Sequence, residues 1–263
     1  MFLSTRFVVL ASLQATSLLL SPSLVLPVTV TEVISSVREQ ALKVQSLEGW
    51  IEHEMEPKNE IEHLSGKFYY KAPHELKVHY VSPKEVYILL LGDSVLTYVP
   101  STQEVTLISS SSTDLIIGEQ RGYLNLILDP ITPLQRDYNF SFLCKGPIEG
   151  YDEVWVIQGG PTSSESSVSK LLFWVDSKMG KVLRAEVYNA KGALVLIALL
   201  TEFGEAAPDL WLPGRYSVSL ATSEGKVEME TRLSRLKVNK SVEERVFQLE
   251  LPEGAKIVRS ERR

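Results

Sequence analysis

One stretch constrains the fold of this chain more than any other: residues 68–108, FYYKAPHELKVHYVSPKEVYILLLGDSVLTYVPSTQEVTLI. It reads as consecutive short antiparallel strands cut by turn residues. Leu76, Val78 and Tyr80 alternate with Glu75, Lys77 and His79, so that strand has one apolar and one polar face. The preceding strand ends at Ala72-Pro73, because proline offers no ladder donor. Ser82-Pro83 and Gly92-Asp93 supply turn chemistry on either side of the apolar run 86–91. Residues 95–99 form the next strand and residues 105–108 follow beyond Pro100.

The same grammar continues. Strand-like segments occur at residues 50–56, 140–145, 154–158, 171–176, 182–188, 194–203, 216–221, 227–232 and 247–249. Gly159-Gly160-Pro161, residues 178–181, residues 189–192 and Glu224-Gly225 serve as turns, and residues 208–213 as a proline-bounded loop. Two segments break the pattern. Near the start, Thr29 and Glu32 form a capping box, and Val30, Ile34, Val37, Ala41 and Val44 recur at helical spacing, with Gly49 as the expected stop. Residues 115–128 hold a second, short amphipathic helix whose apolar residues are Leu124, Ile127 and Leu128. No interdomain linker or repeat intervenes. The expected fold is mainly β, of α+β type. It is a single curved antiparallel sheet forming an incomplete half-barrel of about 11 strands, covered by an N-terminal helix and a short lid helix.

Residues 1–26 have a positive Arg6 and an apolar run at 7–20, which reads as a signal peptide or an N-terminal anchor; residues 27–263 are one domain. A net charge of −6 and the lack of a basic stripe exclude a general nucleic-acid binder. Cys144 is the only cysteine, so no disulfide forms within the chain, and it reads as a small buried apolar residue. His53, His63, His74 and His79 cluster in one region, the first two within EHEMEPKNEIEH. Without an H-E-x-x-H spacing this reads as a solvated hairpin, with no metal and no cofactor. Neither a nucleophile elbow nor a phosphate loop appears. An enzyme would have to rest on Glu52, His53 and His63, and ranks third among the functional classes.

Several pieces recur in a known order: Lys71-Ala72-Pro73, residues 77–80, Ser82-Pro83, residues 86–91, Gly92-Asp93 and Tyr98-Val99-Pro100. Phe173-Trp174-Val175-Asp176 with Gly180, and the ending FQLELPEG at 247–254, extend the series. In this the chain resembles the LolA-like family of periplasmic lipoprotein carriers. The resemblance implies a non-enzymatic periplasmic carrier that shuttles acyl chains of lipoproteins or other lipids from inner to outer membrane. Its implied partners are an acylated lipoprotein or lipid cargo, an inner-membrane donor complex and an outer-membrane acceptor, with the carrier a monomer. The implied cavity residues are Leu76, Val78, Tyr80, Ile88, Leu90, Leu96 and Tyr98, under a lid of Leu124, Ile127 and Leu128. Each buried methylene contributes about 0.8 kcal/mol, so a lid competing for the same surface tunes release. One departure stands out. The family's arginine before the proline of the second strand, which holds the lid closed, is replaced by Ala72, and Lys71 points to the opposite face of a regular strand. The alternative is an RseB-like periplasmic sensor binding a membrane-protein partner.

Overall fold

The computed structural model describes residues 28–56, 62–73, 75–91, 94–109, 127–148, 150–222, 225–252 and 254–260. Helix α1 (Val30–Leu42) starts as the sequence dictates. The Thr29 amide donates to Glu32 Oε2 at 2.7 Å, and the Glu32 amide donates to Thr29 Oγ1 at 3.2 Å. The helix stops at Leu42, short of the expected Gly49. That glycine lies inside the first strand, where a Cβ would meet Leu236 at 2.8 Å and Phe68 at 2.9 Å. It is small for packing, not for capping.

Among the described residues fourteen strands follow, three more than the approximate eleven expected: β1 (Ser46–Glu56), β2 (Glu62–Lys71), β3 (Glu75–Ser82), β4 (Val86–Leu91), β5 (Ser94–Val99), β6 (Glu104–Ser109), β7 (Tyr138–Ile148), β8 (Tyr151–Pro161), β9 (Val168–Asp176), β10 (Lys181–Asn189), β11 (Leu194–Ala207), β12 (Leu210–Thr222), β13 (Gly225–Val238) and β14 (Lys256–Ser260). They form one sheet in the order β14-β6-β5-β4-β3-β2-β1-β13-β12-β11-β10-β9-β8-β7. Every pairing is antiparallel except β14 on β6, which is parallel. The sheet is curved and does not close into a barrel. Residues 210–213, expected as loop, begin β12, because the β11–β12 hairpin turns tightly at Asp209 (φ 56°).

The side-chain period of two sorts the sheet into an inner face, which carries α1, and an outer face. On the inner face Phe68, Leu76, Val78, Tyr80, Phe173, Ala185, Leu196 and Leu212 belong to one continuous buried cluster with Val33, Ile34 and Val37 of α1. The helix packs on β7, β8 and β10. Its 13 residues span about 20 Å, whereas thirteen interstrand spacings span about 60 Å. One helix therefore covers roughly a third of the sheet's width.

The C-terminal segment departs from expectation. Residues 247–249 are not a strand; Phe247 closes a 3-10 turn, Glu244–Phe247. This turn lies on the outer face, where Lys71 pairs with Glu244 and Lys77 Nζ donates to the Gln248 carbonyl at 3.1 Å. The chain then crosses the outer face to pair β14 with the edge of β6. Leu89, Tyr98 and Val105, which point to that outer side, are 3%, 7% and 2% exposed. Asn239, at φ 55°, anchors its origin: its Oδ1 accepts from the Gln45 amide at 2.7 Å, and its Nδ2 donates to the Lys43 carbonyl at 2.8 Å.

Close approach of β2 and β3 requires Gly66, since a Cβ there would lie 2.0 Å from the His79 carbonyl oxygen. Gly66→Ala is expected to lower unfolding free energy by about 3 kcal/mol, the upper range for overpacking, in urea melts. An unchanged midpoint would refute this account of the β2–β3 contact.

Candidate functional site

The inner face of β2–β4 is built by register. Phe68 lies opposite Val78 and Tyr70 opposite Leu76; Leu76 faces Leu90, Val78 faces Ile88, and Tyr80 faces Val86. Directly opposed side chains sit on the same face of an antiparallel pair. Leu76, Val78, Tyr80, Ile88 and Leu90, five of the expected cavity residues, thus form one apolar patch. Phe68 and Tyr70 belong to it as well. Their signal was the same alternation, read one strand earlier.

Leu96 and Tyr98 lie on the other face. The β4–β5 hairpin sets Leu90 against Val95, so Leu96 pairs with Leu89 and Tyr98 with Tyr87. Residues 95–99 carry apolar side chains on both faces, and alternation alone did not choose between them. On the outer face Tyr87 stacks on His79 (ring centroids 4.1 Å) and lies 6.1 Å from Tyr98. Glu85 accepts from the Tyr87 hydroxyl at 2.6 Å, and this hydrogen bond pushes the phenol up to about 12.

Of the expected lid residues, Leu124 lies outside the described residues. Ile127 and Leu128 are helical and buried, within the same cluster as the inner face. Ile131 and Leu134 continue that contact, which the sequence reading missed. Asp129 Oδ1 accepts from the amides of Ile131 and Thr132, at 3.1 and 2.9 Å, and holds the 3-10 turn Thr132–Arg136.

The inner face is not wholly apolar. His53, expected in a solvated hairpin, is 4% exposed, and its Nδ1 lies 2.7 Å from Thr231 Oγ1 across the β1–β13 register. Alternation from Ile51 puts it inward, while His63 points out toward Glu54 at 3.5 Å. Burial pushes the His53 imidazole down to about 4 and raises the Tyr80 phenol. An open hollow of about 350 Å³ near these strands is lined by Glu52, His53, Glu54, His63 and Arg232 among others. Its histidines are committed to opposite faces. Among the described residues no group of three or more His, Cys, Asp or Glu is placed to hold a metal.

Ala72 donates its amide to the Gln45 carbonyl at 2.8 Å. Lys71 reaches Glu244 of the strap and Glu75 (3.6 Å), on the outer side, so it is no substitute for an arginine facing the lid. Cys144, expected to be buried, is exposed. A bulge between Phe142 and Cys144 shifts the register of edge strand β7 and turns the thiol outward. No described helix is long and apolar enough to cross a membrane.

An open antiparallel half-sheet wrapped over one helix, with a strap behind it, is a LolA-type architecture. A model of a family of uncharacterized proteins matches residues 81–251, and the chain belongs to that family; its fold is LolA-like. No curated protein sequence matches. The chain is similar in structure to a putative outer membrane lipoprotein-sorting protein domain from Vibrio parahaemolyticus (TM-score 0.63, 17% identity, 81% of this chain and 95% of that one). It is also similar to a DUF1329 family protein from Desulfovibrio piger (0.62, 14%, 82% and 97%). A LolA superfamily protein from Nitrosomonas europaea aligns over 85% of this chain and 99% of its own (0.58, 17%). At these identities the likeness establishes the fold, and no catalytic activity is indicated.

The depressed His53 gives a signed prediction. Unfolded His53 takes up a proton near pH 6.5 and the folded residue near pH 4, so its contribution to stability is complete above pH 6.5 and is lost as pH falls toward 4. Over that window the wild type should lose about 3 kcal/mol more than His53→Gln, measured by denaturant unfolding at each pH. Parallel pH profiles would contradict the buried neutral imidazole.

Proposed function

We propose that this protein is a non-enzymatic periplasmic carrier that shelters acyl chains of lipoproteins or other lipids against the inner face of its sheet and moves them from inner to outer membrane. The observation that carries this reading is the mismatch between a broad, largely apolar inner face and the single described helix covering part of it. Leu64, Tyr70, Ile88, Leu90 and Val99 on that face remain only partly buried. An acyl chain is the ligand such a surface fits, because it needs area and shape but no hydrogen-bond partner. The lipoprotein-sorting fold of the structural relatives supports the same reading. So does the signal-like N-terminus, from which export to the periplasm follows, either free or tethered.

The segment at Leu124, Ile127 and Leu128 acts as the lid. With Ala72 in place of the family's arginine, closure rests on apolar contacts of Ile127, Leu128 and Ile131, not on hydrogen bonds from β2. The cargo therefore need not be a triacylated lipoprotein. Donor and acceptor membrane complexes complete the cycle, with the carrier acting as a monomer.

The protein purified from its native host should carry acyl-bearing cargo, detected by native mass spectrometry and lipid extraction. Placing a carboxylate in the lining by Ile88→Glu or Leu90→Glu should weaken binding of a neutral fluorescent acyl probe at least roughly tenfold. Leu199→Glu, on the outer face of β11, should leave it unchanged. Retained affinity in both lining variants, with circular dichroism intact, rules the cavity out.

A further inference from the structure

Beneath α1 lies a buried cation with no hydrogen-bond partner among the described residues. Lys181, the first residue of β10, is 1% exposed, and its Nζ has no hydrogen-bond partner. It follows Gly180, whose backbone runs so close to α1 that a Cβ would lie 2.9 Å from the Ser36 carbonyl oxygen. Lys181 thus enters the interior where the β9–β10 hairpin meets the helix. Asp129 and Lys43 are the charged groups that act on it, the first favouring and the second opposing its charge. Neither is spare. Asp129 Oδ1 accepts two backbone amides, and Lys43 Nζ donates to the Asp209 carbonyl at 3.0 Å. No described carboxylate accepts a hydrogen bond from Lys181 Nζ. Burial pushes its ammonium down to about 8, which leaves it mainly protonated at neutral pH.

A second orphan is tied to Asp129, the same carboxylate that acts on Lys181. The Thr132 amide donates to Asp129, and its side-chain Oγ1 is buried without a partner. A buried ammonium and a buried hydroxyl left unsatisfied are costly, and native interiors rarely keep them without use. Both are donors. Their neighbours along the chain are apolar and buried: Ile127, Leu128 and Ile131 before Thr132, Val182 and Leu183 after Lys181. A ligand that answers both facts has an apolar body and acceptor oxygens at one end.

We propose that Lys181 and Thr132 form a polar anchor for the acyl-carboxyl oxygens of the cargo, carried either by a free fatty acid or by an ester-linked acyl chain. The inference rests on the carrier reading and gives the cavity a polarity. The alkyl chain lies along the inner face and its carboxyl end sits beneath α1, beside the segment that follows residue 126. Specificity for chains ending in a carboxyl oxygen then comes from these donors, because apolar lining does not distinguish one alkyl end from another.

The test uses the full folded chain. Binding of N-phenyl-1-naphthylamine, which lacks a carboxyl group, is measured directly; palmitate and methyl palmitate are measured by its displacement. Lys181→Met should weaken palmitate roughly tenfold or more, the usual scale for a lost charge-assisted hydrogen bond, and leave the naphthylamine affinity unchanged. Thr132→Val should weaken both acyl ligands roughly threefold. A loss on palmitate much larger than on methyl palmitate identifies a free carboxylate as ligand; equal losses identify the ester carbonyl. Lys181→Met should also raise the melting temperature of the ligand-free protein, since it removes a buried unpaired charge, whereas a purely structural lysine would lower it. If Lys181→Met does not fold, Lys181→Gln, which keeps an amide donor, provides the same comparison with a smaller expected loss. Unchanged palmitate affinity in Thr132→Val and in the folded Lys181 variant overturns the anchor and leaves the carrier reading standing. Failure of the wild type to bind any of the three ligands removes both.

Discussion

A sheet with one apolar face must bury that face, and here the described helix is too short to do so. Everything else in the structure follows from that inequality. Curvature brings the inner faces of distant strands toward each other, so Phe68 and Val78 of one end join Phe173 and Leu196 of the other in a single cluster with α1. Curling without closing leaves β7 and β14 as edges. The β7 edge carries two bulges, Lys145 and Pro147, features that discourage further strand addition. The other edge is occupied by the chain's own C-terminal strand. A closed barrel would have removed the edges but fixed the interior volume; an open sheet keeps the interior adjustable.

The strap solves the complementary problem on the outer face. Tyr87, Leu89, Leu96, Tyr98 and Val105 would form an exposed apolar patch on β4–β6. The chain from Glu244 to β14 covers it, fastened at one end by Asn239 and Lys71 and at the other by a parallel ladder. The ion pair at Lys71 is solvent-exposed and contributes little on its own. The parallel β14–β6 ladder carries the attachment. So the conspicuous basic residue Lys71 serves the back of the sheet.

The strands were legible because residues on either side of each turn alternate, and Pro73, Pro83, Gly180 and Gly225 cut the chain where hairpins occur. The capping box at Thr29 and Glu32 gave the helix start outright. Three kinds of feature were not legible. Strands apolar on both faces, such as β5, hide their register, which displaced Leu96 and Tyr98 from the inner patch. Bulges reset alternation, which turned Cys144 outward. Long-range pairing leaves no local mark, so neither the β14–β6 ladder nor the role of Asn239 could be read from neighbours in sequence. His53 is the instructive case. Its Glu-rich setting signalled solvent, yet alternation from Ile51 already placed it inward, and register beats composition when the two disagree.

Polar groups on an otherwise apolar face have a consequence for any carrier of acyl chains. Sixteen methylenes at about 0.8 kcal/mol each would bind with about 13 kcal/mol, close to irreversible on the time scale of transfer between membranes. A face of pure leucine and valine gives away no part of that. The His53–Thr231 pair and the buried Lys181 lower the apolar yield where they stand, and they hold preferences in orientation that alkyl contacts lack. Tight shelter and ready release are opposed demands on a single apolar surface. In a carrier of acyl chains, interrupting the surface with a few costly polar groups, and closing it with an apolar segment that competes for the same area, would meet both without any change in the sheet.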